Sequence, residues 1–181
     1  VVGAGHPSTL ASACILARVL EARSEFSEAA RILREILEVQ RRVLGAEHPE
    51  TLVSACNLAT VLFAQGKLSE AARILGEALE VQRRTLGNGH KATQISINQL
   101  AILLDRMGDR EAALPLYEED LRLSRRTFGS EHPDTLMSVN NLAGLLETEG
   151  DLDGAKPLME RALKGKEAVL GPNLSLIHIS E

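Results

Sequence analysis

Aromatic residues are nearly absent from this sequence: its 181 residues include three Phe, one Tyr and no Trp. A core of Leu, Ala, Ile and Val is therefore expected, and such a core suits closely packed helices better than a β-sandwich. The net charge of -5 argues against a general nucleic-acid binder, because such a protein needs a basic excess to displace counterions.

Two other absences exclude further classes of protein. Two cysteines are too few for a disulfide scaffold, and no apolar run approaches the roughly 20 residues of a membrane span. Hydrophobic residues nevertheless make up 44% of the chain, which is enough for a sizeable core. The composition predicts a soluble, cytoplasmic, all-helical protein with no membrane or nucleic-acid partner.

The sequence repeats itself every 42 residues. Residues 3–44 and 45–86 share 29 identities in 42 aligned positions. The same step separates the glycines at Gly3, Gly45, Gly87, Gly129 and Gly171. We interpret residues 1–173 as a single array of four units (3–44, 45–86, 87–128 and 129–170) with a fifth beginning at 171.

Each unit is predicted to be two helices joined by a tight turn. Apolar residues recur at helical spacing in both halves. Pro49 suits a first helical position, Gly66 suits the left-handed residue that ends a helix, and Ser69 is expected to cap the second helix. Pro115 and Pro157 fall early in second helices, where we expect the amides of the first turn to need no helical partner.

A helix pair of this kind cannot bury its own apolar faces. Stacking one unit on the next buries them and produces a solenoid with nearest-neighbour contacts. The fold class predicted is therefore an all-α solenoid of four helix-turn-helix repeats.

Four histidines recur in the linkers, at His6, His48, His90 and His132. Helices pack about 10 Å apart, whereas zinc ligands lie within about 2.3 Å of the ion, so these histidines cannot share a metal. We interpret them as linker residues ahead of a helix start, and we expect no metal and no cofactor.

Cysteine and arginine positions also repeat. Cys14 and Cys56 occupy one position on neighbouring repeats, too far apart for a disulfide, and are expected to be half-buried thiols. The arginine pairs are Arg41-Arg42, Arg83-Arg84 and Arg125-Arg126. Two interpretations of these pairs are open: a phosphate-binding stripe, or charges at helix ends that form local ion pairs. The second interpretation is favoured.

No nucleophile stands beside a base in any recognisable motif, so an enzyme is not expected.

The repeat resembles a tetratricopeptide repeat of the 42-residue type found in kinesin light chains. The segments that carry the resemblance are 131–143, EHPDTLMSVNNLA, and 113–117, ALPLY. The resemblance implies a right-handed superhelix whose first helices line a concave groove for a peptide or partner helix. The chain lacks the heptad coiled coil by which a light chain joins its motor.

The resemblance also implies which residues line that groove. One column is Cys14, Cys56, Asn98 and Asn140; a second is Arg18, Thr60, Ile102 and Gly144; a third is Ala11, Val53, Ile95 and Met137; the edge carries Glu21, Phe63, Asp105, Arg106 and Glu147. An amide such as Asn98 or Asn140 can hydrogen-bond a peptide backbone, or it can simply be solvated. The mixed charge of the columns gives no preference for acidic peptides.

Three functions remain open at this point. The favoured one is a non-catalytic scaffold or adaptor that binds a protein or peptide. The alternatives are the ligand-sensing repeat arm of a larger signalling NTPase and a structural array that self-associates end to end. Residues 174–181 break the repeat and resemble translated sequencing-adaptor read-through, so we expect a non-native tail on an internal fragment of a longer protein.

Overall fold

A computed structural model describes residues 7–170 of the chain, and the side chains of residues 9–164. Every described element is a helix. The helices are α1 Pro7–Ala22, α2 Phe26–Val43, α3 Pro49–Ala64, α4 Leu68–Thr85, α5 Lys91–Arg106, α6 Arg110–Phe128, α7 Pro133–Glu149 and α8 Leu152–Leu170. The predicted linker residues Gly3 and His6, and the region from Gly171 to the tail at 174–181, lie outside the described residues.

The first helix of each pair (α1, α3, α5, α7) begins 42 residues after the one before it. The linker histidines explain these starts, because each of the three described side chains accepts a backbone amide proton. The Nδ1 atom of His48 accepts from the amide of Glu50 at 3.3 Å, and His132 and His90 do the same with the residue two positions on. The histidines are therefore helix N-caps, as their place ahead of a helix start indicated.

The chain divides into two compact units, one up to Ser96 and one from Ile97 on, with the boundary inside α5. In the N-terminal unit, α1 packs on α2, α2 on α3, and α3 on α4. Its core includes the small residues Ala17, Ala29 and Ala71, all at most 2% exposed. Such residues let the helices approach closely, as the repeat pattern predicts.

In the C-terminal unit, α7 packs on both α6 and α8. Its core is a cluster of eight buried residues: Ala101, Ala113, Tyr117, Leu121, Val139, Leu142, Leu145 and Ala162. The first helices α5 and α7 therefore contribute apolar residues to packing on the second helices.

Two local predictions were wrong. Helix α4 begins at Leu68 with Lys67 as its N-cap, and no side chain caps it; Ser69 is thus the second helical residue and not the cap. Pro115 is the sixth residue of α6, and Pro157 the sixth of α8. Both prolines therefore lie beyond the first turn, where each removes one helical hydrogen bond.

The prediction for the turn after α3 is confirmed. Gly66 adopts a φ of +75°, the left-handed conformation expected directly after this helix. Among the described helices, none is both long enough and apolar enough to cross a membrane.

Candidate functional site

Three large apolar side chains stand exposed on the first helices. Val53 of α3, Ile95 of α5 and Met137 of α7 are 56%, 48% and 52% exposed, and each lies 42 residues from the next. Ala11, the equivalent residue of α1, is also exposed. These positions form the third predicted column. Val53 and Ile95 lie in the N-terminal unit and Met137 in the C-terminal unit, so each unit presents exposed apolar area on a first helix.

In the N-terminal unit this surface opens into a cavity of about 540 Å³. Its lining comes from three helices: Leu10, Ala11, Cys14, Gln40, Pro49, Glu50, Val53 and Ser54. The structure thus brings together three predicted groove residues, Ala11, Cys14 and Val53. A cavity with apolar walls and a few polar groups can accept one anchoring side chain of a ligand.

The two cysteines are free thiols, half-buried beside the first-helix surface. Burial raises the pKa of the Cys14 thiol, and a hydrogen bond with Ser54 partly offsets that rise. Burial raises the pKa of the Cys56 thiol in the same way; its Sγ lies 3.5 Å from the Ser96 hydroxyl. Both thiols stay protonated near neutral pH, so neither is an activated nucleophile.

Asn98 is already engaged by another repeat of the C-terminal unit. Its Oδ1 atom accepts a hydrogen bond of 3.0 Å from the Nδ2 of Asn141. Asn140 is half-buried, and no hydrogen bond joins its side chain to the described residues. The two predicted amides therefore differ, because Asn98 joins α5 to α7 while the Asn140 side chain makes no hydrogen bond to the described residues.

Sequence reasoning missed Asn141. A signal for it was present, because Asn57, Gln99 and Asn141 keep an amide side chain at one position through three successive repeats. Of these three amides, only Asn141 bridges two first helices, because the Oε1 atom of Gln99 is buried without a partner among the described residues.

The second column contributes little polar chemistry. Thr60 donates its hydroxyl to the carbonyl of Cys56 in the preceding turn at 3.1 Å, so that group is occupied. Ile102 is half-buried against the C-terminal core, and open space surrounds Gly144. Arg18 is exposed.

The predicted edge is a mixture of charges. Phe63 is half-buried and Arg106 is exposed. Asp105 lies 3.6 Å from the Nε of Arg110, and Glu149 lies 3.8 Å from the same atom. No group of three His, Cys, Asp or Glu side chains within the described part of the chain is placed to hold a metal ion.

A family model of the tetratricopeptide repeat matches residues 8–84, 59–123 and 92–168, which together span nearly the whole described chain. The chain belongs to the tetratricopeptide repeat family. The all-α superhelical repeat class is thereby confirmed. Tetratricopeptide repeat proteins typically serve as non-catalytic scaffolds in protein interactions.

Solved structures agree with this assignment. The chain is similar to a Podosopora anserina protein taken to be a kinesin light chain with nearly identical TPR-like repeats, at 30% identity with a TM-score of 0.81, covering 92% of this chain and 79% of that one. A single-residue variant of that protein gives 30% identity, a TM-score of 0.84, and coverage of 93% and 80%. The predicted kinesin light chain-like character of this tetratricopeptide repeat protein is therefore confirmed.

A third structure, BtubC (BKLC) from P. vanneervenii, shares the fold at 21% identity with a TM-score of 0.83, covering 90% of this chain and 65% of that one. No curated protein sequence matches the chain.

Proposed function

We propose that this tetratricopeptide repeat protein is a non-catalytic scaffold that binds a peptide or helix of a partner protein on the exposed face of its first helices. The observation that carries the proposal is the recurrence of half-exposed apolar residues at one position, Val53, Ile95 and Met137. A ligand that covers these side chains removes apolar area from water, which stabilises the complex by about 25 cal/mol per Å² before the costs of association.

Polar groups beside these residues support a polypeptide ligand. The free amide of Asn140 both donates and accepts, and a peptide backbone offers the complementary pair. The cavity beside Val53 suits an apolar anchor side chain. Because Arg18 and Arg106 are accompanied by Glu21 and Asp105, the proposal includes no preference for acidic peptides.

The proposal places the protein in the cytoplasm and gives it no enzymatic activity. Thiols that remain free suit a reducing compartment. The residues that could otherwise take part in catalysis are the cysteines and the histidines. Cys14 and Cys56 are protonated, and the histidines cap helices.

A peptide-array screen tests the proposal. Val53→Asp places a charge at one of the exposed apolar positions of the first helices. Val43→Asp is its matched control, because Val43 is 57% exposed and lies on a second helix, α2. We expect hits that Val53→Asp and Asn140→Ala lose and that Val43→Asp keeps. Hits that all three variants keep, or a screen without hits, would contradict the proposal.

End-to-end self-association is a second candidate, and one observation favours it. Ile15, Leu16 and Val19 of α1 are 60%, 49% and 49% exposed, whereas the equivalents of the last two in α3, Leu58 and Val61, are at most 1% exposed. Sedimentation equilibrium distinguishes this function, since a mass that rises with concentration in the wild type and not in Leu16→Asp supports it. A monomer at all concentrations argues against it.

A further inference from the structure

Arginine pairs end the second helices α2, α4 and α6, and in the N-terminal unit three of the four arginines have a carboxylate partner. Arg41 pairs with Glu77 of the next second helix at 3.8 Å, and Arg83 with Glu80 one turn away at 3.6 Å. Arg84 pairs with Glu47 of its own repeat's linker. Helix-end charges with local ion pairs therefore describe these pairs, as the sequence favoured.

The third pair is Arg125 and Arg126, and the positions equivalent to the three carboxylate partners carry no carboxylate there. The residue 36 positions after Arg125, which would correspond to Glu77, is Arg161. The equivalent of Glu80 is Arg122, and the equivalent of Glu47 is Gly89. Two of the three equivalent positions thus carry arginine instead of a carboxylate, which adds positive charge around Arg125 and Arg126.

Three of these arginines line one cavity of the C-terminal unit, and the charge of the fourth, Arg161, acts on Arg125. The cavity measures about 510 Å³ and is lined by Glu118, Leu121, Arg122, Arg125 and Arg126 of α6 and by Leu142 of α7. Glu118 is the carboxylate in the lining, and Glu119 lies 4.0 Å from Arg122. The remaining three arginines, including Arg161 of α8, have no carboxylate partner among the described side chains.

Two observations describe the surroundings of Arg125 and Arg161. The Nε atoms of Arg125 and Arg161 are buried and find no acceptor in the described part of the chain. Burial lowers the pKa of Arg125, and the positive charge of Arg161 lowers it further. Arg125 stays charged, since an arginine does not deprotonate in proteins, so its positive charge lies close to that of Arg161.

The N-terminal unit contains the comparison site. A cavity of about 350 Å³ is lined by Leu37 and Arg41, the residues equivalent to Leu121 and Arg125, and also by Glu77. In that cavity the carboxylate of Glu77 supplies the negative charge. The cavity in the C-terminal unit keeps the equivalent arginine, Arg125, and the equivalent leucine, Leu121. The position equivalent to Glu77, however, is Arg161.

We propose that the cavity lined by Arg122, Arg125 and Arg126, with Arg161 beside it, binds a phosphate group. A phosphate monoester carries a charge of about -1.5 to -2 at neutral pH and three acceptor oxygens, which suits several guanidinium groups better than a single carboxylate does. Planar guanidinium donors bind phosphate through paired hydrogen bonds. This site is separate from the first-helix surface and does not depend on its function.

Titration of the full chain with inorganic phosphate at constant ionic strength, followed by two-dimensional amide NMR, tests the proposal. Saturable shifts are expected in the C-terminal half of α6 and around Arg161. Arg161→Gln should weaken phosphate binding by about tenfold, the value of one charge-assisted hydrogen bond. Arg42→Gln is the matched control, because it removes the same charge from an exposed helix-end arginine, and it should leave binding unchanged.

A charge reversal provides a second readout. Arg161→Glu recreates the pair seen between Arg41 and Glu77, so it should abolish phosphate binding and raise the midpoint of thermal unfolding measured without phosphate. Phosphoserine and unphosphorylated peptides separate the sources of the ligand: tighter binding of the phosphopeptide than of inorganic phosphate assigns the site to a modified protein, and the reverse assigns it to a small phosphate compound. Absence of saturable phosphate binding, or equal weakening by Arg161→Gln and Arg42→Gln, would overturn the proposal.

Discussion

Three buried threonines occupy the same position of successive repeats and differ in one hydrogen bond. Thr135 donates its hydroxyl to the carbonyl of Gly129 at 2.7 Å. The hydroxyls of Thr51 and Thr93 are equally buried, at 1% and 0% exposure of the residue, and have no partner among the described residues. Valine has nearly the same shape as threonine, so Thr→Val removes the hydroxyl and leaves the packing intact.

The expected magnitudes follow from this difference. Thr135→Val should lower the free energy of unfolding by about 1 kcal/mol, because it removes a satisfied hydrogen bond and leaves a carbonyl without that donor. Thr51→Val and Thr93→Val should leave the free energy unchanged or raise it by up to about 1 kcal/mol, since each replaces an unpaired buried hydroxyl with a methyl group.

Urea denaturation of the three single variants measures these free energies, with an unchanged m-value as the control that the unfolding transition is the same. Equal losses in all three variants would refute the reasoning, because they would mean that the Thr51 and Thr93 hydroxyls are worth as much as the hydrogen-bonded hydroxyl of Thr135.

Two further predictions concern a buried carboxylate and two glycines. Burial, together with the nearby charge of Asp134, raises the pKa of Asp120 above its ordinary value of 3.8, against a hydrogen bond from Ser138 that lowers it. The folded state therefore holds this proton to higher pH than the unfolded state, so the contribution of Asp120 to stability falls as pH rises from 3.8 through the raised pKa. Asp120→Asn should remove that slope from urea titrations carried out from pH 3.8 upward and add roughly 1 kcal/mol at pH 7; a variant less stable than wild type at pH 7 would contradict it. Gly76→Ala should stabilise the protein by about 0.5–1 kcal/mol in thermal unfolding, because Gly76 lies inside α4 with open space around the new Cβ, whereas Gly66→Ala should cost about 1 kcal/mol at its φ of +75°; equal effects of the two changes would refute this.

The sequence predicted the helical repeat well because its signals are local. A proline at the first helical position and a glycine in the left-handed conformation have specific backbone requirements, and Pro49 and Gly66 meet them where expected. Identity between repeats then carries each local prediction to the equivalent positions. The family and fold class could therefore be inferred from the order of the amino acids alone.

The errors arose where tertiary packing overrides local preference. Ser69 is a good N-cap residue, yet α4 begins one residue before it, at Leu68. Pro115 opposes a helix at its sixth position, but α6 continues through it and buries Tyr117 and Leu121 in the core. Burial of apolar side chains outweighs a weak cap preference or a single lost hydrogen bond.

The candidate site was less predictable because it depends on how neighbouring helices are rotated. The family pattern assigned Asn98 and Asn140 the same role, but the structure joins Asn98 to Asn141, 43 residues on. Cys56 similarly contacts Ser96, 40 residues on. Spacing within one helix cannot predict such pairings, since they depend on the packing of two different repeats.

The central claim is that a partner polypeptide binds the first helices, and methyl NMR of the protein bound to a peptide hit tests it most directly. Val53 and Met137 lie on first helices, and Val43 and Met159 are exposed counterparts on second helices, at 57% and 40% exposure. We predict that the methyl signals of Val53 and Met137 shift on binding while those of Val43 and Met159 do not. Shifts confined to Val43 and Met159 would contradict the claim.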